Sequence, residues 1–156
     1  MSRNRMESMI ERAIRLLSRL LEIERLPAEF CDECFSNAST DGESLGFSMQ
    51  WVIEQLASPC GSDWCSWTNV VAVVGHELGH VLYMQYGHRG SRWDREFYAD
   101  YIAGWCLGRL GIWPTAEYIA FLSWQRASET HPAGPDRIAE MRYGHDVARG
   151  RARRYA

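Results

Sequence analysis

The chain contains no lysine: its 17 basic residues are all arginines, and with 20 acidic residues the net charge is −3. We interpret the missing lysine as a bias of genome composition, without functional meaning. Because basic and acidic residues are interspersed, the sequence predicts no broad basic surface of the kind that binds nucleic acid. The composition therefore argues against a nucleic-acid-binding function.

Long apolar runs are also absent, because the longest, at residues 70–74, is followed closely by the charged Glu77. Such a run is too short to cross a bilayer. The N-terminus carries Arg3, Arg5 and Glu7 where a secretory signal needs an uninterrupted apolar core. We therefore expect no membrane span and, by default, a cytoplasmic location.

The composition and the apolar pattern predict one folded domain over residues 1–156. A hydrophobic fraction of 46% and seven tryptophans are typical of a globular core. Apolar residues recur every three or four positions, which predicts an amphipathic N-terminal helix over about 5–24 and further helices over about 68–110 and 114–148. Thr68 or Asn69 can cap the helix that carries residues 70–74, and the helix that opens at 114 is expected to end at about residue 126. An alternating stretch at 45–49 predicts a short strand. The expected fold is α+β and predominantly α-helical.

The strongest chemical signal is the pentad His76-Glu77-Leu78-Gly79-His80, which follows the apolar run at 70–74. Histidines four positions apart share one face of a helix, so both imidazoles can bind the same zinc ion. Glu77 stands next to the first ligand, where it can take a proton from a water that the zinc activates. The pentad therefore predicts a hydrolytic zinc site.

A catalytic zinc needs a third protein ligand and an open position for water. Glu96 and Asp100 lie four positions apart on the next predicted helix, at a level that a helical hairpin brings opposite the pentad. We predict Glu96 as the third ligand and Asp100 as the acceptor of a hydrogen bond from a ligand histidine, which orients that ring. His88 is the alternative ligand, but it would have to fold back from the end of its helix.

A further motif lies downstream, where His131 precedes Pro132 and Arg137 follows six residues after the histidine. In their order, the pentad, the Glu-x-x-Ala-Asp segment and this motif resemble the gluzincin zinc metallopeptidases. Within them the chain is most similar to the HtpX and CAAX-prenyl-protease group and its small soluble relatives, over roughly residues 68–145. The resemblance implies a zincin-like core with a small sheet. It also implies that His131 stabilises the transition state and that Arg137 helps to hold the site together.

This resemblance implies a zinc metallopeptidase that hydrolyses peptide bonds by a zinc-activated water, with Glu77 as the general base. A peptide or protein substrate is expected to pair with the edge of the strand at 45–49. The chain departs from the group because it lacks transmembrane helices and has a short spacing between the pentad and Glu96. That spacing also resembles the regulatory ImmA/IrrE proteases. A zinc-dependent hydrolase or tailoring enzyme that acts on a non-peptide substrate is a further alternative.

The five cysteines form two close pairs, Cys31 with Cys34 and Cys60 with Cys65, and leave Cys106 over. Four thiolates could hold a second, structural zinc, but the spacing of the second pair is at the edge of the usual range. Disulfides, which require an oxidising compartment, and unlinked thiols are the alternatives. We favour a single catalytic zinc over two metal ions, and we expect Cys106 to be a buried apolar filler.

Overall fold

The computed structural model describes residues 1–32, 37–57 and 62–151. These residues form six helices and a three-stranded sheet, which confirms the predicted α+β and mainly helical class. The helices are α1 (Arg3–Leu21), α2 (Met49–Leu56), α3 (Asp63–Gln85), α4 (Arg92–Leu110), α5 (Ala116–Ser123) and α6 (Gly134–Ala148). The strands are β1 (Ala28–Cys31), β2 (Ala38–Thr40) and β3 (Leu45–Ser48). No helix within these ranges combines the length and hydrophobicity that crossing a bilayer requires.

The sheet has the order β1-β3-β2, with β1 parallel and β2 antiparallel to β3. The sequence predicted β3 but neither β1 nor β2. Neither Ala28–Cys31 nor Ala38–Thr40 shows the apolar alternation that marks 45–49, and their residues are only partly buried. Because β3 is paired on both sides, the prediction that a peptide adds to the edge of the strand at 45–49 is wrong. Of the strands described, β1 and β2 form the edges.

The start of α3 also differs from the sequence prediction, which placed the helix cap at Thr68 or Asn69. The helix begins at Asp63, and the Ser62 hydroxyl accepts a hydrogen bond from the backbone N–H of Trp64 at 3.1 Å. Asn69 lies buried inside the helix, and its side chain forms hydrogen bonds to other segments instead of capping the helix. Its amide donates to the carbonyl of Leu56 at 3.4 Å, and its oxygen accepts from the backbone of Thr115 at 3.0 Å. Asn69 therefore connects α3 to the end of α2 and the start of α5.

The remaining helices lie close to their predicted positions. The N-terminal helix ends earlier than expected, at Leu21, where Glu22 adopts a left-handed conformation. The α4 helix begins with a capping box, in which Ser91 and Asp94 satisfy each other's backbone N–H groups, and ends at Gly111 with a φ of 69°. Thr115 caps α5, whose helical residues end at Ser123, so this helix is shorter than the sequence predicted.

Close approach between α3, α4 and α6 depends on glycine. A Cβ added at Gly79, inside the pentad, would lie 2.6 Å from the Cα of Ala99 on α4. A Cβ added at Gly104 would overlap the backbone carbonyl of Met141 on α6. Larger side chains at these two glycines would push the helices apart. The tight packing brings the pentad on α3 within reach of the acidic residues on α4.

The cysteines divide into disulfide-bonded and free thiols. Cys31 and Cys65 are both disulfide-bonded. Since these bonds remove two of the four thiolates, they argue against the structural zinc considered above, although Cys34 and Cys60 lie outside the described residues. Disulfides persist mainly in oxidising compartments, and the cytoplasmic location stays a prediction. Cys106 is free and fully buried, as predicted, and burial raises the pKa of its thiol to about 12.

Candidate metal centre

Three side chains predicted as metal ligands meet between α3 and α4. The ligating atoms of His76, His80 and Glu96 all lie within 4.8 Å of one another. His76 Nε2 is 3.3 Å from Glu96 Oε2, and His80 Nε2 is 3.4 Å from Glu96 Oε1. The two imidazole rings stand edge to face, with their centroids 4.6 Å apart. Both ring nitrogens and the carboxylate therefore converge on one point.

The donor set fits a divalent metal ion. Glu96 Oε2 is buried and accepts no well-aligned hydrogen bond among the described residues, although His76 Nε2 lies 3.3 Å away, so the cluster holds an acceptor that a cation would satisfy. Two imidazoles and one carboxylate are the ligands of several catalytic zinc sites, where a fourth position stays open. The residues present are thus suited to zinc.

A buried polar network holds His76 from the side opposite the cluster. Its Nδ1 lies 2.8 Å from the carboxylate of Asp100, which is 1% exposed. Arg137 donates two hydrogen bonds to the same carboxylate, from Nε at 2.9 Å and from Nη2 at 3.0 Å. Its Nη1 donates to Gln125 Oε1 at 3.1 Å. Asp100 therefore stands where the sequence predicted an orienting acceptor, and Arg137 positions Asp100.

The two ligand histidines differ in their affinity for a proton. Burial would lower the pKa of His76, but the carboxylates of Asp100 and Glu96 raise it to about 10. At His80, burial and then the charge of His76 lower the pKa to about 3. In the metal-free chain His76 therefore carries the proton, and a metal ion that binds its Nε2 must displace that proton.

Glu77 lies beside the cluster on the same helix as His76. Its side chain is only 6% exposed, and burial raises the pKa of the carboxyl to about 7. A carboxyl with this pKa can both take up and return a proton at neutral pH.

His131 reaches the cluster from the loop between α5 and α6. Its Nε2 lies 3.6 Å from Glu96 Oε2, and the side chain is half exposed. The hydroxyl of Thr130 lies 2.8 Å from His131 Nδ1. The loop is tied to the start of α4, because the indole N–H of Trp93 donates to the carbonyl of Ser128 at 3.1 Å. The fold therefore brings together the pentad, Glu96 and His131 from three separate segments.

His88 does not belong to this cluster. It is exposed beyond the end of α3, and its ring lies 5.2 Å from that of Tyr83 and 5.3 Å from that of Tyr98, centroid to centroid. These contacts hold His88 among aromatic rings, away from the ligand position that the sequence left open to it.

A small cavity of about 90 Å³ opens beside Glu77. The sequence analysis did not single out two of its polar lining residues, Tyr118 on α5 and Gln125 just beyond it. Tyr118 repeats with Leu122 on the buried face of α5, which is the ordinary pattern of a core residue, and Gln125 lies in a loop without a recognisable motif. Neither residue carries a signal that sequence alone could have shown.

Comparison with protein-family models, curated proteins and solved structures finds no match to this chain. The function is therefore inferred from the geometry of the site.

Proposed function

We propose that the protein is a zinc-dependent hydrolase with a zincin-like core and that its reaction is the cleavage of peptide bonds. The observation that carries the proposal is the convergence of His76, His80 and Glu96 with Glu77 beside them. Structural zinc sites are closed by four protein ligands, whereas three ligands next to a buried carboxyl of raised pKa are typical of hydrolytic sites.

The chemistry divides between the metal and the protein. Zinc, when bound, would lower the pKa of water at its open position and polarise a carbonyl group. Glu77 accepts a proton from the attacking water and returns it to the leaving amine, a task suited to its pKa of about 7. His131, whose Nε2 faces the cluster, donates a hydrogen bond to the oxygen on which negative charge develops.

The sheet supports a peptide as the substrate. β2 lies at the edge of the sheet, and the edge that faces away from β3 has no strand partner among the described residues. Ala38, the first residue of β2, also lines the cavity beside Glu77. An extended peptide could add to this edge through backbone hydrogen bonds and pass the metal cluster.

The proposal is tested by measuring zinc content and peptide hydrolysis on the same preparations. We expect one zinc per chain at the cluster, loss of that zinc in His80→Ala, and cleavage of a mixed peptide library by the zinc-loaded protein. Glu77→Gln should retain zinc and lose about 10²- to 10⁴-fold in hydrolysis, because an amide cannot accept the proton.

His88→Ala is the matched control, since His88 is an exposed histidine outside the cluster, and it should leave both measurements unchanged. Hydrolysis by Glu77→Gln at the wild-type rate would remove Glu77 from the mechanism. Full zinc loading without cleavage of any peptide, combined with hydrolysis of small amides or esters, would replace the peptidase by a hydrolase of another substrate class.

A further inference from the structure

The cavity beside Glu77 carries hydrogen-bond donors that nothing in the protein uses. It lies between α3, α5 and α6 and combines apolar walls with the side chains of Tyr118, Gln125 and Arg137. A hydrogen-bond donor without a protein partner favours ligands that offer it an acceptor. A ligand that leaves this donor unpaired binds more weakly. The partners of each donor therefore decide which side chain the cavity accepts.

The hydroxyl of Tyr118 is the first such donor. The residue is only 8% exposed, and its hydroxyl forms no hydrogen bond within the described residues. The hydroxyl is also not among the fully enclosed polar atoms without a partner, which are Ser18 Oγ, His80 Nδ1 and Glu96 Oε2. Because Tyr118 lines the cavity, we infer that its hydroxyl is available to a molecule bound there.

Gln125 and Arg137 supply the other donors. Gln125 uses its amide oxygen to accept from Arg137 Nη1 at 3.1 Å, so the oxygen is engaged and the NH2 group is left without a partner among the described residues. Arg137 donates to Asp100 through Nε and Nη2, and it donates to Gln125 through one N–H of Nη1. Its second Nη1 hydrogen has no protein acceptor in the same set of residues.

The charges around the cavity argue against an anionic occupant. The positive charge of Arg137 is already neutralised by Asp100, whose carboxylate accepts two hydrogen bonds from the guanidinium. The carboxyl of Glu77 lines the same cavity. A carboxylate placed there would lose its hydration and meet Glu77. The other cation at the cavity, His76, is also already paired, with Asp100 through Nδ1 and with Glu96 through Nε2.

The size of the cavity limits the occupant further. A volume of about 90 Å³ corresponds to about three water molecules at their liquid volume. A side chain of three or four heavy atoms fills that space, whereas an aromatic ring does not fit without movement of the walls. Val73 and Leu122, which also line the cavity, offer apolar contacts for a methyl group.

We propose that this cavity is the specificity pocket of the enzyme and that it selects a small, uncharged side chain able to accept hydrogen bonds, with threonine and asparagine as the best fits. The inference rests on the proposed hydrolytic function, because it identifies the residue next to the bond that is cleaved. Tyr118 and Gln125 are the residues that determine this specificity.

The first test is a competition between peptides that differ at one position. Zinc-loaded protein is given a mixture in which the residue on either side of one bond is threonine, valine, asparagine, leucine or phenylalanine, and mass spectrometry reports each cleavage. Threonine should be preferred over its isostere valine, and asparagine over leucine, by about 10- to 100-fold. Equal or faster cleavage at valine and leucine would overturn the proposal.

Two substitutions assign the preference to the donors. Tyr118→Phe removes only the hydroxyl, and Gln125→Met removes the NH2 donors at a similar side-chain length and without adding a charge. Each should lower the threonine-to-valine ratio about tenfold while zinc content stays the same. Tyr86→Phe, which removes a phenol that is 67% exposed and outside the cavity, should leave the ratio unchanged. An unchanged ratio in Tyr118→Phe and Gln125→Met would show that other groups decide the specificity.

A binding measurement separates this inference from the proposed function. Zinc-loaded Glu77→Gln is titrated with N-acetyl-threoninamide and N-acetyl-valinamide, and binding is followed by NMR. The threonine compound should bind about tenfold more tightly, and Tyr118→Phe in the same background should remove the difference. If the threonine compound binds more tightly while the wild type cleaves no peptide, the peptidase proposal is wrong and the proposed selectivity of the pocket is retained. If peptides are cleaved without any preference, the proposed selectivity of the pocket is wrong and the peptidase proposal is retained.

Discussion

The two sides of the metal cluster are built differently. On the inner side, His76 is held by Asp100, Arg137 and Gln125, all linked by hydrogen bonds of 2.8–3.1 Å. On the outer side, His80 Nδ1 is buried without a partner among the described residues, and His131 stands half exposed on a loop. The inner side therefore orients a ligand, whereas the outer side leaves room for groups that act on a substrate.

The protonation of the two histidines follows the same division. Asp100 and Glu96 raise the pKa of His76 to about 10, whereas burial and then the charge of His76 lower the pKa of His80 to about 3. Polar networks that are fully satisfied rigidify a site, while groups with few contacts adapt to a ligand. Changes on the inner side should thus alter metal affinity and stability, and changes on the outer side should alter turnover.

The largest effect is expected on the outer side. His131→Ala should lower kcat about 10²- to 10³-fold, the scale of losing one donor to a developing oxyanion, and change KM less. Because His131 is half exposed and outside the inner network, zinc content and thermal stability should remain those of the wild type. Steady-state kinetics with metal analysis measure both. A variant that has lost its zinc would identify His131 as a ligand instead.

A smaller effect is expected from the inner side. Asp100→Asn should weaken zinc binding about 10- to 100-fold, measured by competition with a chelator. The same change leaves the buried charge of Arg137 unpaired, so the free energy of unfolding should fall by about 3 kcal/mol. Asp146→Asn, at a partly exposed carboxylate outside the network, is the control and should change neither. Unaltered zinc affinity in Asp100→Asn would remove Asp100 from the support of the site.

The protonation of His76 predicts how zinc binding depends on pH. Since the pKa of His76 is raised to about 10, its imidazole holds a proton throughout the neutral range and competes with the metal. Zinc affinity should therefore increase about tenfold for each unit by which the pH rises between about 6 and 8. Chelator competition at several pH values tests this, and calorimetry in buffers of different ionisation enthalpy should record one released proton. A flat profile would mean that His76 is already neutral in the free protein.

The smallest effect is expected at the far end of the inner network. Gln125→Ala removes one hydrogen bond to Arg137, made at 3.1 Å and partly buried, and should lower the free energy of unfolding by about 1 kcal/mol. For a chain of this size that corresponds to a decrease in Tm of about 2–4 °C. Zinc affinity should stay within a factor of a few, because Asp100 still contacts His76. A loss as large as that of Asp100→Asn would show that Gln125 supports the carboxylate directly.

The residues of the cluster could be named from the sequence because their spacing follows the helix period. His76 and His80 share a face four residues apart, and Glu96 repeats with Asp100 in the same way on the next helix. The caps also carry local signals, since Ser91 with Asp94 and Thr115 mark where α4 and α5 begin. Each of these features depends on residues within about one helical turn of one another.

The errors concern contacts over longer distances. Asn69 reads as a helix cap, yet it is buried in α3 and bonded to Leu56 and Thr115. The strand at β3 was expected to offer an edge, but β1 and β2 pair with both of its sides. Which side of a strand is free depends on segments that are distant in sequence and carry no period of their own.

The sequence by itself determined the helical class of the chain, the helix faces that carry the pentad and the acidic pair, and the residue types suited to zinc, because the repeat of a helix is a local property. Only the tertiary structure decided that Gly79 lets α4 approach α3, that Arg137 holds Asp100, and that Tyr118 and Gln125 line one cavity. These relations join residues from separate helices, and they arise from close packing and from the need to pair buried polar groups.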